Sequence, residues 1–134
     1  MNESYQEGSE SMARGVVKGS SPIGLQDISD GNETEMQVLI GPSDGAPNFA
    51  MRRFVMGAGG GMPRHTNEVE HEQYVLKGRA VITIGDQSFN VRAGDAVFIP
   101  ARTPHSYSVV EEPFEFLCLV PNCEDTIRLL DDET

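Results

Sequence analysis

GMPRHTNEVEHEQYVLKG, residues 61–78, decides the reading of this chain together with a second stretch, AGDAVFIPARTPH, residues 93–105. Between them they hold His65, His71 and His105, the three histidines of the sequence. Side chains alternate faces along an extended strand, so His65 and Asn67 point the same way. His71 follows after the acidic bend Asn67-Glu68-Val69-Glu70, at the head of a run that continues through Tyr74 to Leu76 and turns at Gly78. His105 opens another run, on which it shares a face with Tyr107 and Val109 while Ser106 and Ser108 share the other. An interior that holds His105 therefore also holds Tyr107. Two segments far apart along the chain are expected to fold together and bring three imidazoles to one point.

The flanking sequence has the texture of short strands. From Met36 onward, β-branched and aromatic runs (MQVLI, FAMRRFVM, QYVL, RAVITI, SFNV, AVFIP, HSYSVV and FEFLCLV) alternate with Gly, Pro and Asp breaks. The breaks fall at Gly41 to Gly45, Gly57 to Pro63, Lys77-Gly78, Gly85-Asp86, Ala93 to Asp95 and Pro100 to Pro104. Spacing of this kind predicts an all-β fold, an antiparallel barrel or sandwich. The segment Glu124 to Leu130 alone has helical character, and no internal repeat or helical crossover pattern argues for an α/β fold. Residues 1–35 are rich in Ser, Gly, Glu and Asp and poor in apolar surface, and read as an N-terminal arm that orders only against the barrel or a second subunit. Residues 36–134 read as one barrel domain, a size that supports a single core.

Charge narrows the partners. Ten Lys and Arg against 21 Asp and Glu give a formal charge of −11, a field that repels phosphate backbones and anionic lipid headgroups. Neither nucleic acid nor membrane is expected as a partner; a small-molecule substrate is. No apolar stretch approaches the roughly 20 residues of a membrane span, and residues 1–10 lack the apolar block of a secretory signal. The cytoplasm is the expected compartment, with Cys118 and Cys123 as free thiols.

The two histidine stretches resemble the paired motifs of the cupin superfamily. The first resembles G-x5-H-x-H-x3,4-E-x6-G, with His65 in the first ligand place and Gly78 at the closing turn. The second resembles G-x5-P-x-G-x2-H-x3-N from Gly94 to His105. Similarity to small single-domain cupins that bind manganese through four histidines, in an H-x-H-x3-H-E spacing matched by His65, Asn67, His71 and Glu72, extends over most of residues 38–121. The resemblance implies a jelly-roll (double-stranded β-helix) barrel, a pairing of barrels into a homodimer, and a divalent metal on His65, His71 and His105. Three departures stand out: Asn67 in place of the second ligand histidine, Arg102 in place of a glycine, and Val109 in place of the terminal asparagine.

Asn67 is the departure with chemical consequences. Its amide oxygen is a weaker, harder donor than imidazole, so it binds the metal through oxygen, bonds a metal-bound water, or turns away and leaves a position open. Three imidazoles suit Mn, Fe, Zn, Ni or Cu. Neutral ligands leave the ion its full charge, which favours an anionic substrate such as an enolate, thiolate or carboxylate. A three-histidine shell with free positions resembles that of cupin dioxygenases, which implies an oxidoreductase. The alternatives are a metal-dependent isomerase or lyase and a non-catalytic binding or sensor barrel.

Other candidates carry a chemical reading and a bland one. Tyr107 presents a phenol near the metal, as a hydrogen-bond or proton donor to substrate, against ordinary packing. Arg53, Arg64 and Arg102 are candidate partners for a substrate carboxylate, against simple exposure. Cys118 shares parity with Phe116 and Val120 and reads as a small buried apolar group, cavity-facing in the resembling proteins. Glu72 is assigned to solvent or to orienting a ligand rather than to the metal. Met51, Met56 and Met62 read as filling and loop packing, and GAGGGMP, residues 57–63, as a flexible rim of the barrel mouth.

Overall fold

A computed structural model describes residues 14–130. Among the described residues there are eight strands: β1 (Gln26–Asp27), β2 (Asn32–Ile40), β3 (Phe49–Thr66), β4 (His71–Ile84), β5 (Gln87–Arg92), β6 (Ala96–Ile99), β7 (His105–Pro121) and β8 (Arg128–Leu129). They form one hydrogen-bonded sheet in the order β1-β2-β3-β7-β4-β5, with β6 on the remaining edge of β4 and β8 on β3. Every pairing is antiparallel. The all-β barrel expected from the spacing of apolar runs is what the chain adopts, in the jelly-roll form that the resemblance implies.

Three long strands give the sheet its shape, and all three are interrupted at one level. β3 loses register with β7 between Met56 and Gly61, and β4 loses register with β7 around Lys77 to Ala80. An irregularity of this kind adds local twist and bends a strand. Here the inward face of β7 changes parity, from His105 and Tyr107 on one side to Phe114, Phe116 and Cys118 on the other. The upper half of β7, from His105 to Val109, pairs with Gly61 to His65 of β3 and with Ala80 to Ile84 of β4. The lower half, from Phe114 to Pro121, pairs with Phe49 to Met56 and with Glu72 to Val75.

Glycine is required at this crease by space and by backbone. Gly61 and Gly78 have φ of 142° and 80°. A Cβ on Gly78 would run into the carbonyls of Glu111 and Pro113, and one on Gly61 into the carbonyl of Tyr107. Two sequence expectations change accordingly. Gly57 to Pro63 is part of the continuous strand β3 rather than a flexible rim, and Gly78 bends β4 rather than ending it. The helix expected over Glu124 to Leu130 does not form: that segment is extended and ends in β8, held by backbone hydrogen bonds at His65 and from Leu130 to Arg64. Its few apolar side chains gain more by covering the barrel mouth, where Ile127 lies, than an isolated short helix would supply.

Of the N-terminal arm, residues 1–13 lie outside the described residues. Residues 20–23 are tied to the barrel by Gln37, whose Nε2 donates to the carbonyls of Ser20 (3.3 Å) and Ile23 (2.8 Å). β1 and the start of β2 add Gln26–Asp27 and Asn32–Glu35 to the sheet. Among the described residues no helix is long and apolar enough to cross a membrane.

Parity decides what fills the interior. Met56, Val75, Ile82, Ile99, Phe114, Phe116 and Cys118 are essentially inaccessible, and Phe116 stacks on Phe54 and Tyr107 with centroids 5.1 and 5.4 Å apart. Met56 and Met62 belong to this core, as expected, whereas Met51 takes the other face of β3.

Gly78→Ala should lose at least about 2 kcal/mol of stability in denaturant unfolding, since the added methyl meets fixed carbonyls at a positive φ. A loss below about 0.5 kcal/mol would show that the crease is not confined as described. Arg102, the residue in the expected glycine place, has φ of 59° and an exposed side chain. Arg102→Gly should therefore raise stability by about 0.5–1 kcal/mol, because the left-handed conformation costs a residue with a Cβ about 1–2 kcal/mol that glycine escapes.

Candidate functional site

The barrel interior narrows to a cavity of about 150 Å³. Its lining joins the apolar Ile28, Met36, Phe54, Met56, Met62, Phe116 and Ile127 with His65, Asn67, His71 and His105, and Arg52, Gln73, Tyr107, Cys118 and Asp125 complete it. All three histidines converge there. His65 on β3 is the direct cross-strand partner of His105 on β7, and their ring centroids are 4.1 Å apart. His71, at the first position of β4, stands 5.6 Å from His105, and Tyr107 stands 5.9 Å from it on the other side. Each of the three rings is 4% exposed or less.

Hydrogen bonding sets the tautomers. Nδ1 of His65 lies 2.7 Å from the carbonyl of Pro63, and Nδ1 of His105 lies 2.9 Å from that of Thr103. A carbonyl can only accept, so both rings carry their proton on Nδ1 and keep an Nε2 lone pair. Nε2 of His105 is buried and without a partner, a lone pair that nothing in the protein satisfies.

His71 is held differently. The Nδ2 of Asn67 donates to Oδ2 of Asp125 (2.9 Å), which fixes the amide and turns its Oδ1 toward Nε2 of His71, 3.0 Å away. His71 therefore donates through Nε2, and its Nδ1 is buried without a partner. Asp125 is itself oriented by the backbone amides of Glu68 (2.7 Å) and Thr126 (2.9 Å). Asn67 is thus an oriented acceptor inside the site.

Burial keeps these rings neutral. It drives His71 down to about 3, with Arg52 and then His105 adding to the effect. His105 falls to about 4, through burial first and the neighbouring His65 second, and His65 is lowered for the same leading reason. At neutral pH none of the three rings carries a second proton, so each keeps one nitrogen lone pair. Burial moves the Tyr107 phenol the other way, further above its ordinary value. Gln73 donates to the Tyr107 oxygen at 2.6 Å, so the phenolic proton remains available to a guest in the cavity.

The donor chemistry fits a divalent transition metal: neutral imidazoles, two with their proton anchored on backbone carbonyls, and an amide oxygen beside the third. Among the described residues, no three His, Cys, Asp or Glu side chains are gathered closely enough to cage an ion as they stand. The His71–Asn67 hydrogen bond occupies the third donor, and an ion would take its place.

Three of the other candidates, Arg53, Arg102 and Glu72, fall outside the cavity lining. Arg53 lies on the opposite face of β3, paired with Glu115 (2.8 Å) and Gln37 (2.8 Å). Arg102 is exposed beside Glu68, and Glu72 points to solvent opposite Phe98. Cys118 lines the cavity as a free thiol. The sequence reading missed Arg52, Gln73 and Asp125. Two of these were legible: Arg52 shares parity with Ala50, Phe54 and Met56, and Gln73 with His71 and Val75. Asp125 lies in an irregular segment where no periodicity exists to read.

Comparison with known proteins agrees with this architecture. Residues 52–120 match the cupin domain family. The chain is a cupin. Its fold superimposes on the polyketide cyclase RemF from Streptomyces resistomycificus with a TM-score of 0.80 and 28% identity, covering 89% of this chain and 87% of that one. A cupin-2 domain from Rhodospirillum rubrum gives a TM-score of 0.75 at 24% identity over 91% and 84% of the two chains, a likeness of fold. A curated relative, an uncharacterized protein of Methanocaldococcus jannaschii, is 36% identical over 50 residues, 37% of this cupin and 40% of the relative's own length.

The depressed histidines give a signed pH dependence. With folded values below the unfolded 6.5, their contribution to stability is complete above pH 6.5 and is lost as pH falls toward about 4 and then about 3. Chelator-treated protein should lose about 1 kcal/mol per pH unit for each titrating ring across that window. Unfolding midpoints that stay flat between pH 6.5 and 4.5 in wild type would contradict buried, neutral imidazoles.

Proposed function

We propose that this cupin is a metal-dependent enzyme that binds a largely apolar, oxygen-bearing organic metabolite and carries out proton-transfer chemistry of the cyclase or lyase kind. His65, His71 and His105 are the protein ligands, with Asn67 as the optional fourth. The observation that carries the reading is the meeting of three neutral, buried imidazoles, one with an orphaned Nε2, in a cavity lined also by apolar side chains. An ion of the Mn, Fe, Zn, Ni or Cu class held there supplies Lewis-acid polarisation of a substrate oxygen.

The chain's own residues have separable tasks. Phe54, Phe116 and the methionines exclude water and present flat apolar walls to a ring or conjugated system. Tyr107, protonated across the physiological range and held by Gln73, donates a hydrogen bond or a proton to a developing oxyanion. Asp125 aligns Asn67, and Asn67 aligns His71. The overall similarity to a polyketide cyclase at 28% identity supports a non-redox reaction on an enolisable carbonyl compound. An oxygenase is the second reading, favoured by the charge-neutral donor set of His65, His71 and His105, which would leave a bound divalent ion its full positive charge.

Element analysis of protein purified without added metal should find a divalent transition ion in near-stoichiometric amount in wild type. His65→Ala, His71→Ala and His105→Ala should each lose most of it, while Tyr107→Phe keeps it; undiminished occupancy in the histidine variants rejects the ligand assignment. With a poly-β-carbonyl compound as substrate, the cyclase reading expects turnover under strict anaerobiosis, slowed at least about tenfold in Tyr107→Phe. Turnover that requires O₂ and consumes it selects the oxygenase.

A further inference from the structure

Arg52 projects from β3 into the cavity two residues before Phe54, on the face that Ala50 and Met56 share. Its surroundings are unusual for a guanidinium drawn into a protein interior. One Nη2 approaches Sγ of Cys118 at 3.3 Å, and the guanidinium carbon lies 5.1 Å from the ring centroid of Phe54. Its Nε is buried with no hydrogen-bond partner. Among the described residues no carboxylate comes within 4.0 Å of it. The chain has 21 acidic side chains, and the adjacent Arg53 is paired with one of them at 2.8 Å. A cation drawn inside is normally paired, because an uncompensated charge there is costly. A half-buried arginine braced by an aromatic ring, with its Nε donor unpaired, is instead set up to receive an anion from outside.

Its place in the cavity fits that role. The inner cavity of about 150 Å³ is smaller than the roughly 300–1,000 Å³ of a site for a drug-sized ligand. A second hollow of about 710 Å³, bordered by Pro42 to Pro47 on one side and Pro121 to Asp125 on the other, adjoins it. Arg52 and Asp125 line both spaces. The guanidinium thus borders the larger hollow as well as the space that holds the imidazoles.

We infer that Arg52 is the anion-binding and specificity-determining residue of this site, and that the substrate class is an aromatic or conjugated compound carrying a carboxylate or equivalent anionic oxygen, held on the Nε edge of Arg52 with its apolar body against Phe54 and Phe116. This rests on the cavity being the substrate site, as proposed above, but not on a metal being bound. Phe54 orients the guanidinium from one side and Cys118 from another, so the charge is pre-placed. Arg53, exposed Arg102 and the overall negative field do not compete for the ligand at this depth.

The test is binding of benzoate, salicylate and cinnamate, each against its neutral amide, by calorimetry on chelator-treated full-length protein. Wild type should bind the carboxylates at least about tenfold more tightly than the amides. In Arg52→Met, which keeps the stem and removes the charge, the ratio should fall to near one, and Arg52→Lys should retain part of it. Circular dichroism and thermal melts establish that both variants are folded; should Arg52→Met not fold, the ratio in Arg52→Lys is decisive, since loss of the planar edge must at least reduce it. A ratio unchanged in the folded variants, or no carboxylate binding at millimolar concentration, overturns the inference. Repeating the titration on metal-loaded wild type and His105→Ala separates the two readings. Selectivity that appears only with metal and disappears in His105→Ala places the anion at the ion, which sinks the role of Arg52 and leaves the metal site standing.

Discussion

The antiparallel pairing of β3 with β7 is the constraint on which the rest depends. It sets His65 directly opposite His105 at one end and runs on to join Phe49 with Pro121 at the other. Because side chains alternate along each half of β7, with the parity switched at the crease, a slip of one residue would send the inward groups outward, and His105, Tyr107, Phe116 and Cys118 would leave the cavity together. The crease at Gly61 and Gly78 pins that register. Both glycines sit where backbone carbonyls come too close for a Cβ, so a shifted strand would bring a side chain to a place that admits none.

Architecture and chemistry are coupled through that register. The inward face of β7 that supplies the stacked Phe116 and Tyr107 also supplies His105, so the apolar and polar parts of the cavity lining are one continuous surface. Burial, which stabilises the fold, also keeps the imidazoles unprotonated and the phenol protonated. The backbone carbonyls of Pro63 and Thr103, each two residues before its histidine, hold the proton on Nδ1. Both are followed closely by the start of a strand pairing or lie within one, which makes tautomer selection a by-product of local chain geometry.

What could be read from the sequence follows the same physics. Alternation placed His105 with Tyr107 and Cys118 with Phe116 and Val120, and the structure agrees because each half of β7 is regular; the switch of parity between the halves, which turns both sets inward, has no signal in the alternation itself. The same alternation distinguishes Arg52 from Arg53, yet charge alone drew attention to Arg53, whose guanidinium is paired outside the cavity. Glycine-rich Gly57 to Pro63 read as loop because glycine weakens strands in general; here close strand approach requires it. Glu124 to Leu130 had helical composition, but its partner is the edge of β3, a tertiary contact that local propensity does not encode. Asn67 was visible as a departure from the four-histidine pattern, while its alignment by Asp125 depends on that same unpredictable segment.

The central claim is that three imidazoles act as one binding unit. Imidazole ¹H–¹⁵N correlation spectra recorded while Zn²⁺ is titrated into chelator-treated protein test it most directly. The account requires the resonances of His65, His71 and His105 to move together and to saturate at a single equivalent, with Nδ1 of His65 and His105 still protonated and His71 released from Asn67. Rings that respond at different stoichiometries, or a His71 that never responds, would contradict it.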